Sequence, residues 1–223
     1  MQKIVVLTGA GISAESGIST FRDANGLWEN YDIMEVASIQ GWNNNPQLVL
    51  DFYNQRRRQL KEVAPNAAHY YLKQLEEKYK VVIITQNVDN LHERAGSSTI
   101  IHLHGELNKA RSVKNSKTTF PCNHDIQLGD YAVDGGQLRP HIVWFGEDVP
   151  AMEQAINEVK TADIFLIIGT SLQVYPAASL INDVPNKAKI ICIDPNPIPI
   201  NKNQVTHLKY KATEGVKMLN QFI

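Results

Sequence analysis

Residues 3–28 read KIVVLTGAGISAESGISTFRDANGLW, and the place where this stretch breaks decides the fold. Residues 4–7 are apolar and rich in β-branched side chains with no alternation, the composition of a strand buried on both faces of a parallel sheet. The run stops at Thr8-Gly9-Ala10-Gly11, which reads as strand, tight turn and helix start. Gly9 and Gly11 let backbone amides approach a pyrophosphate, and a following helix adds its N-terminal N–H groups and positive dipole end. Gly9, Gly11 and Ala14 fit the G-x-G-x-x-A dinucleotide pattern. Alone the pattern is weak, because any strand-to-helix turn can use glycines for geometry only.

Outward from this turn, the same arrangement recurs. Apolar runs at residues 81–84, 164–168 and 189–193 end in Gln86-Asn87-Val88-Asp89, in Gly169-Thr170-Ser171 and in Asp194-Pro195-Asn196. A shorter run at 99–101 ends at His102-Leu103-His104-Gly105, where strand alternation points both histidines the same way. Helical patterns fall at 45–60, 66–75, 152–159 and 213–222, and residues 141–145 resume a strand pattern that ends at Gly146-Glu147. Strands alternating with helices imply an α/β fold with a doubly wound, mostly parallel sheet. Parallel strands bring their terminal turns to one edge, so the four turns predict a shared dinucleotide site. A nicotinamide dehydrogenase would place a second strand and a ribose-binding acid about 20 residues past the glycines. Here that region is an aperiodic loop, residues 18–28, which lowers the case for redox use and reads as a lid. Within it Arg22 either faces phosphate or pairs with Asp23.

Asn45-Pro46 supplies a cap and a first-turn proline for the helix that carries Tyr53 and Arg56, three residues apart and on one face. The plain alternative is that Arg56, Arg57, Arg58 and Lys61 form a solvated basic stripe. Residues 106–140 are polar and aperiodic, the signature of an inserted module. With 22 Lys and Arg against 23 Asp and Glu, the net charge of −1 offers no field for nucleic acid or anionic lipid. No apolar run reaches the length of a membrane span, and the first strand begins too near Met1 for a signal peptide, so the expectation is a soluble cytoplasmic protein. Cys122 and Cys192 lie far apart, imply no disulfide, and Cys192 sits in an apolar run where burial is expected.

In order along the chain, GAGISAESGISTFR (9–22), TQNVDNLH (85–92), HLHG (102–105), IVWFGE (142–147) and GTS (169–171) resemble the motifs of the sirtuins, NAD-dependent protein lysine deacylases, and the resemblance covers nearly the whole chain. It implies a single catalytic unit. A Rossmann-like part spans about 1–25, 71–105 and 141–223, a smaller part formed by two insertions spans about 26–70 and 106–140, and acylated peptide lies between them. It places NAD over Gly9, Ala10, Gly11, Ile12, Ser13, Ser16, Gly17, Ile18, Thr20, Phe21, Arg22 and Trp28, over Gln86, Asn87, Val88 and Asp89, and over Gly169, Thr170, Ser171, Asp194, Pro195 and Asn196, with Ala212 near the adenine. By resemblance His104 is the general base, Asn87 and Asp89 hold the nicotinamide and ribose side, and Val143, Trp144, Phe145, Gly146 and Glu147 pair with the substrate backbone.

Two features set the chain within the family. Most sirtuins hold a structural zinc with two cysteine pairs, and the first pair would fall at Ser112 and Asn115, which leaves only Cys122 and His124; the expectation is no metal. Tyr53-x-x-Arg56 is similar to the pair by which one sirtuin branch accepts malonyl- and succinyl-lysine. The expected activity is therefore removal of succinyl, malonyl and acetyl groups from protein lysines by a monomer, releasing nicotinamide and O-acyl-ADP-ribose. The alternatives are an NAD hydrolase or ADP-ribosyltransferase in the same pocket, or a non-catalytic NAD-sensing module, against which an intact His104 argues.

Overall fold

The structure, a computed structural model, describes residues 1–19, the backbone of 27–28, and residues 31–196, 198, 200–202 and 205–223. Thr20, Phe21, Arg22 and the side chain of Trp28, assigned above to the cofactor, lie outside the described residues, as does most of the expected lid.

Strand β1 (Lys3–Thr8) leads into two short 3₁₀ turns, Ala10–Ile12 and Ala14–Ser16. The chain continues through β2 (Leu27–Trp28), β3 (Tyr31–Asp32), α1 (Ile33–Val36), α2 (Ile39–Asn44), α3 (Pro46–Glu62) and α4 (Ala67–Leu75). Next come β4 (Lys80–Thr85), α5 (Leu91–Arg94), β5 (Ile100–His102), β6 (Gly105–Ser112), β7 (Thr119–Pro121) and β8 (Leu138–Ile142). Last are α6 (Met152–Val159), β9 (Ile164–Ile168), β10 (Lys189–Ile193), β11 (Val205–Leu208) and α7 (Ala212–Met218).

Six strands form a parallel sheet in the order β11-β10-β9-β1-β4-β5, with β1 between β4 and β9 and Leu7 in register with both Ile84 and Ile167. Strand periodicity sorts the apolar side chains onto two faces. Val5, Leu7, Val82, Ile84, Phe165 and Ile167 pack with Ala155 and Val159 of α6. Ile4, Val6, Val81, Ile83, Leu166 and Ile168 pack with α4 and α7 through Leu72, Leu75, Val216 and Leu219. This is the doubly wound architecture expected from the unbroken apolar runs. A separate antiparallel sheet, β7-β6-β8, and the two-stranded β2-β3 ladder stand apart from it. The α3 cap forms as the sequence required: Asn45 Oδ1 accepts from Leu48 N at 3.1 Å with Pro46 in the first turn.

Three expectations are corrected. No α-helix follows the first glycine turn. The two 3₁₀ turns end at Gly17, whose φ of +96° is left-handed, because Ser13 is drawn into side-chain hydrogen bonds and Ile18 N returns to Ser13 O at 3.3 Å. Residues 141–145 do not add to the parallel sheet: β8 stops at Ile142 and pairs antiparallel with β6. The expected boundaries at 70 and 140 fall inside α4 and β8: α4 packs on the parallel sheet through Leu72 and Leu75 along its length, and β8 pairs with β6 from Leu138 to Ile142.

Candidate active site

The C-terminal ends of β1, β4, β9 and β10 meet at one edge, and contact there is very close. Gly9 N donates to Ile168 O at 3.1 Å and Gly11 N to Gly169 O at 2.9 Å. A Cβ on Gly11 would lie 2.6 Å from Gly169 Cα, and one on Gly9 would lie 2.7 Å from Thr170 Cβ, so any side chain here would wedge two strand ends apart. This corrects the sequence argument: the two glycine amides serve neighbouring carbonyls, and the glycines are required for backbone approach.

Above this edge lies a cavity of about 700 Å³. Its wall includes Gly9, Ala10, Gly11 and Ile18 from the first turn, Gln86, Asn87, Val88 and Asp89 past β4, and Gly169, Thr170 and Ser171 past β9. Asp194, Pro195 and Asn196 past β10, and Ala212 at the start of α7, complete that side. Ile12, Ser13, Ser16 and Gly17 do not reach the wall. Ile12 is core, Ser16 Oγ accepts from Asn66, and Ser13 lies behind the wall, where its Oγ donates to Asp89 Oδ2 at 3.0 Å and accepts from Asn87 Nδ2 at 3.1 Å. Ser13 thus holds two of the polar side chains of the β4 turn, Asn87 and Asp89, and Asp89 Oδ1 also accepts from Leu91 N, at the start of α5, at 3.0 Å. Burial raises the Asp89 pKa, which the Leu91 and Ser13 hydrogen bonds partly offset.

His104 lines the same cavity. Its Nδ1 is 3.0 Å from Gln86 O, and a carbonyl can only accept, so Nδ1 carries the proton and Nε2 keeps its lone pair. Burial lowers its pKa, with the Gln86 carbonyl opposing, so the ring is neutral near pH 7. His102 does not accompany it into the cavity, contrary to the alternation expected: β5 ends at His102, and the chain bends before His104. His102 Nε2 instead pairs with Glu93 at 2.6 Å and its Nδ1 lies 3.3 Å from Asn87 O. Burial pulls the His102 pKa down, but the Glu93 hydrogen bond and charge prevail and raise it.

The other half of the wall comes from α3 and from the segment after β8. Tyr53 and Arg56 both line the cavity and are buried, so the solvated stripe does not form at Arg56. Arg57 is buried too, while Arg58 reaches the surface and pairs with Asp125. Tyr53 Oη accepts from Trp144 Nε1 at 3.0 Å, and the Arg56 guanidinium lies 4.6 Å from the Phe52 ring centroid. Burial pushes the Tyr53 phenol pKa above its ordinary value.

Val143, Trp144, Phe145, Gly146 and Glu147 all line the cavity, yet most of their amides are engaged internally. Val143 N donates to His104 O, Trp144 N to Glu147 Oε2, Phe145 N to Ala37 O and Glu147 N to Trp144 O. The Glu147 carboxylate also receives Arg139 Nη1 and Arg111 Nη2, each at 2.8 Å, and Arg139 stacks on Trp144 at 3.3 Å. Sequence reasoning missed this cluster, since Arg111, Arg139 and Glu147 share no spacing and meet only when β6 and β8 pair. At the positions where the resemblance would set the first cysteine pair, Ser112 Oγ bonds Asp134 Oδ1 at 2.8 Å and Asn115 Oδ1 accepts from Lys117 N at 3.0 Å, and nearby the buried Cys122 donates to His124 O. These bonds and the β6-β8 ladder knit the insertion together.

The Sir2 family model matches residues 9–176. A protein of Bacteroides thetaiotaomicron named NAD-dependent protein deacylase is 54% identical over 230 residues, covering 100% of this chain and 98% of its own length. A protein of the same name from Helicobacter pylori is 56% identical over 230 residues, covering 99% and 98%. Among solved structures, a Sir2 homologue in complex with NAD superposes with a TM-score of 0.87 at 38% identity, covering 98% of this chain and 90% of that one. A Sir2 protein bound to a deacetylated p53 peptide and 3'-O-acetyl ADP ribose superposes with a TM-score of 0.82 at 30% identity, covering 98% and 93%.

Proposed function

The chain belongs to the Sir2 family, and on that premise we propose that it is an NAD-dependent protein lysine deacylase that removes succinyl, malonyl and acetyl groups. The observation that carries this reading is that Tyr53, Arg56, His104 and the four polar strand-end turns face one cavity. The residues present fit NAD: a volume of about 700 Å³ lies in the range of small-molecule sites, and Gln86, Asn87, Asp89 and Asp194 converge on a wall otherwise made of small residues.

Bound NAD would supply a ribose carbon activated by departure of nicotinamide. His104 receives a proton at Nε2, because Nδ1 is committed to Gln86 O, and its lowered pKa keeps that lone pair available at neutral pH. Asn87 and Asp89, fixed through Ser13, orient the ribose and nicotinamide side. Arg56 pairs with the distal carboxylate of a succinyl or malonyl group while the Tyr53 hydroxyl adds a neutral donor. The reading extends to a zinc-free monomer in the cytoplasm, with the parallel sheet as the Rossmann-like part and the segments around α1–α3 and β6–β8 as the smaller one. In support of the first point, internal hydrogen bonds brace the region around Ser112 and Asn115.

An acyl-peptide panel tests the proposal. A charge-assisted hydrogen bond is worth about 1.5 to 3 kcal/mol, so Arg56→Met lowers kcat/KM for succinyl- and malonyl-lysine roughly 10- to 150-fold and leaves acetyl-lysine nearly unchanged. Tyr53→Phe has the same sign with a smaller loss. Equal losses on all three acyl groups would assign Arg56 to folding. Nicotinamide released without any peptide would favour the hydrolase or ADP-ribosyltransferase reading, and NAD binding with no turnover the sensing module.

A further inference from the structure

A second cavity of about 310 Å³ lies beyond the active-site wall, across Leu60, which lines both, and its polar lining is Arg57, Lys61, Arg94, Asn90, Asn108 and Asn123. Three of these are cations and three are amides; no Asp or Glu is among its described lining residues. The helix that carries Tyr53 and Arg56 into the first cavity carries Arg57 and Lys61 into this one.

Arg57 is the informative member. It is only 3% exposed, yet its hydrogen bonds go to neutral acceptors: Nε to Leu107 O at 3.0 Å and Nη1 to Asn54 Oδ1 at 2.7 Å. Its Nη2 is buried with no hydrogen-bond partner among the described residues. Asp125, the nearby acid whose charge acts on Arg57, has its carboxylate on Arg58. A buried guanidinium without its own carboxylate is costly unless a counter-charge reaches it. Asn90 Oδ1 and Asn108 Oδ1 are also buried without partners. A half-turn of either amide presents its Nδ2–H groups instead, the arrangement that an oxyanion selects.

We propose that this cavity binds a small oxyanion of the phosphate or carboxylate class, with Arg57 and Lys61 supplying the charge and the asparagine amides the remaining donors. Two sources share this chemistry, free phosphate and a carboxylate such as that of an acidic peptide side chain, and separate probes distinguish them.

The test uses the full chain, titrated with inorganic phosphate or with acetate against chloride at constant ionic strength, reading melting temperature and, for phosphate, the ³¹P linewidth. The expected result is a saturable rise in melting temperature with one of the two probes. Lys61→Gln, an exposed position that does not line the first cavity, should weaken the apparent affinity about tenfold. No anion-specific effect would mean that water alone fills the cavity, and an effect unchanged in Lys61→Gln would place the ion elsewhere. Either outcome overturns the proposal. Arg57→Met should abolish the effect, but the exposed lysine variant decides the matter even if the arginine variant does not fold.

Discussion

The six-stranded sheet and the region around α3 and β6–β8 differ in what they bury. Strands β1, β9 and most of β4 present dry, apolar side chains to both faces. Around α3 and β6–β8 the apolar side chains fall into two clusters, one with Val49, Phe52, Leu107, Ile142 and Trp144 and a small one of Leu50, Ala110, Cys122 and Ile126, and buried beside them are the Arg111–Glu147–Arg139 cluster, Asn54 and Arg57. An apolar layer is set by volume and tolerates exchange among similar side chains, whereas a polar brace depends on each donor finding its acceptor. The active-site cavity lies along the line where the two regimes meet, so its chemistry is positioned by one and shaped by the other.

The largest effect expected from breaking this arrangement is at His104. His104→Ala removes the proton acceptor while the turns at the sheet edge stay in place, so turnover should fall about 10²- to 10⁴-fold with NAD affinity retained. Binding calorimetry with NAD beside a deacylation assay checks this. Near-normal turnover would shift the role to another group, with His102 excluded by its pairing to Glu93.

Next in size is Glu147→Gln. The substitution keeps the side chain's shape but leaves the Arg111 and Arg139 guanidiniums, each about 6% exposed, without their shared carboxylate. Breaking a buried ion cluster from one side costs about 3 to 5 kcal/mol, which for a chain of this size lowers the melting temperature by roughly 10 °C. A shift of only a degree or two would show that water reaches the cluster and that the braced region is less distinct from a surface network than its burial suggests.

Acid sharpens the contrast because buried histidines lie under the sheet edge. His69 is held neutral, its pKa lowered to about 4 by burial, and the adjacent His92 is lowered well below its ordinary value, again chiefly by burial. For such groups the unfolded chain binds protons that the folded chain refuses, so their contribution is complete above about pH 6.5 and declines as pH falls toward 4. His69 alone gives a slope of up to about 1.4 kcal/mol per pH unit in that window. Melting temperatures should fall from pH 6.5 to 4.5, before the paired carboxylates titrate, while above pH 6.5 His102, whose pKa Glu93 raises, acts in the opposite sense and loses its contribution as pH rises. A flat profile down to pH 5 would mean that these rings charge without unfolding anything.

How much of this was legible in the sequence follows the same division. The residues of β1, β4, β9 and β10 announce themselves because a strand buried on both faces must be apolar throughout, and their terminal turns must be small or polar to leave an edge open. That sufficed to place Gln86, Asn87 and Asp89 on one cavity, while His104 was assigned through the resemblance. The partners of the glycine amides could not be read, since Gly11 and Gly169 are 158 residues apart and meet only across β1 and β9. Nor could Arg56, Arg57 and Arg58 be told apart by helical pattern alone; only the resemblance at Tyr53-x-x-Arg56 singled out Arg56. A helix turns each by about 100°, and only the neighbours decide which faces a cavity, a carbonyl or water. The strand pattern of 141–145 ran past the strand for a related reason: β8 ends at Ile142, and the apolar residues beyond it fit a crowded, aromatic wall, where their amides close onto His104, Ala37 and Glu147.

The smallest effect expected tests the apolar side of the comparison. Ile167 in β9 is fully buried beside Leu7 and Cys192, and packs with the α6 face of the sheet. Ile167→Val removes one methylene, keeps the β-branched shape that the strand favours, and leaves every hydrogen bond of the edge in place. The cost should be about 0.5 to 1.5 kcal/mol, a drop of a few degrees in melting temperature, with kcat/KM on each acyl peptide unchanged. The measurement pairs thermal unfolding with the same acyl panel used for Arg56. If the valine variant lost activity out of proportion to its stability, packing in the sheet would be setting the position of the strand-end turns directly, and the division between a tolerant apolar layer and an exacting polar wall would fail at β9.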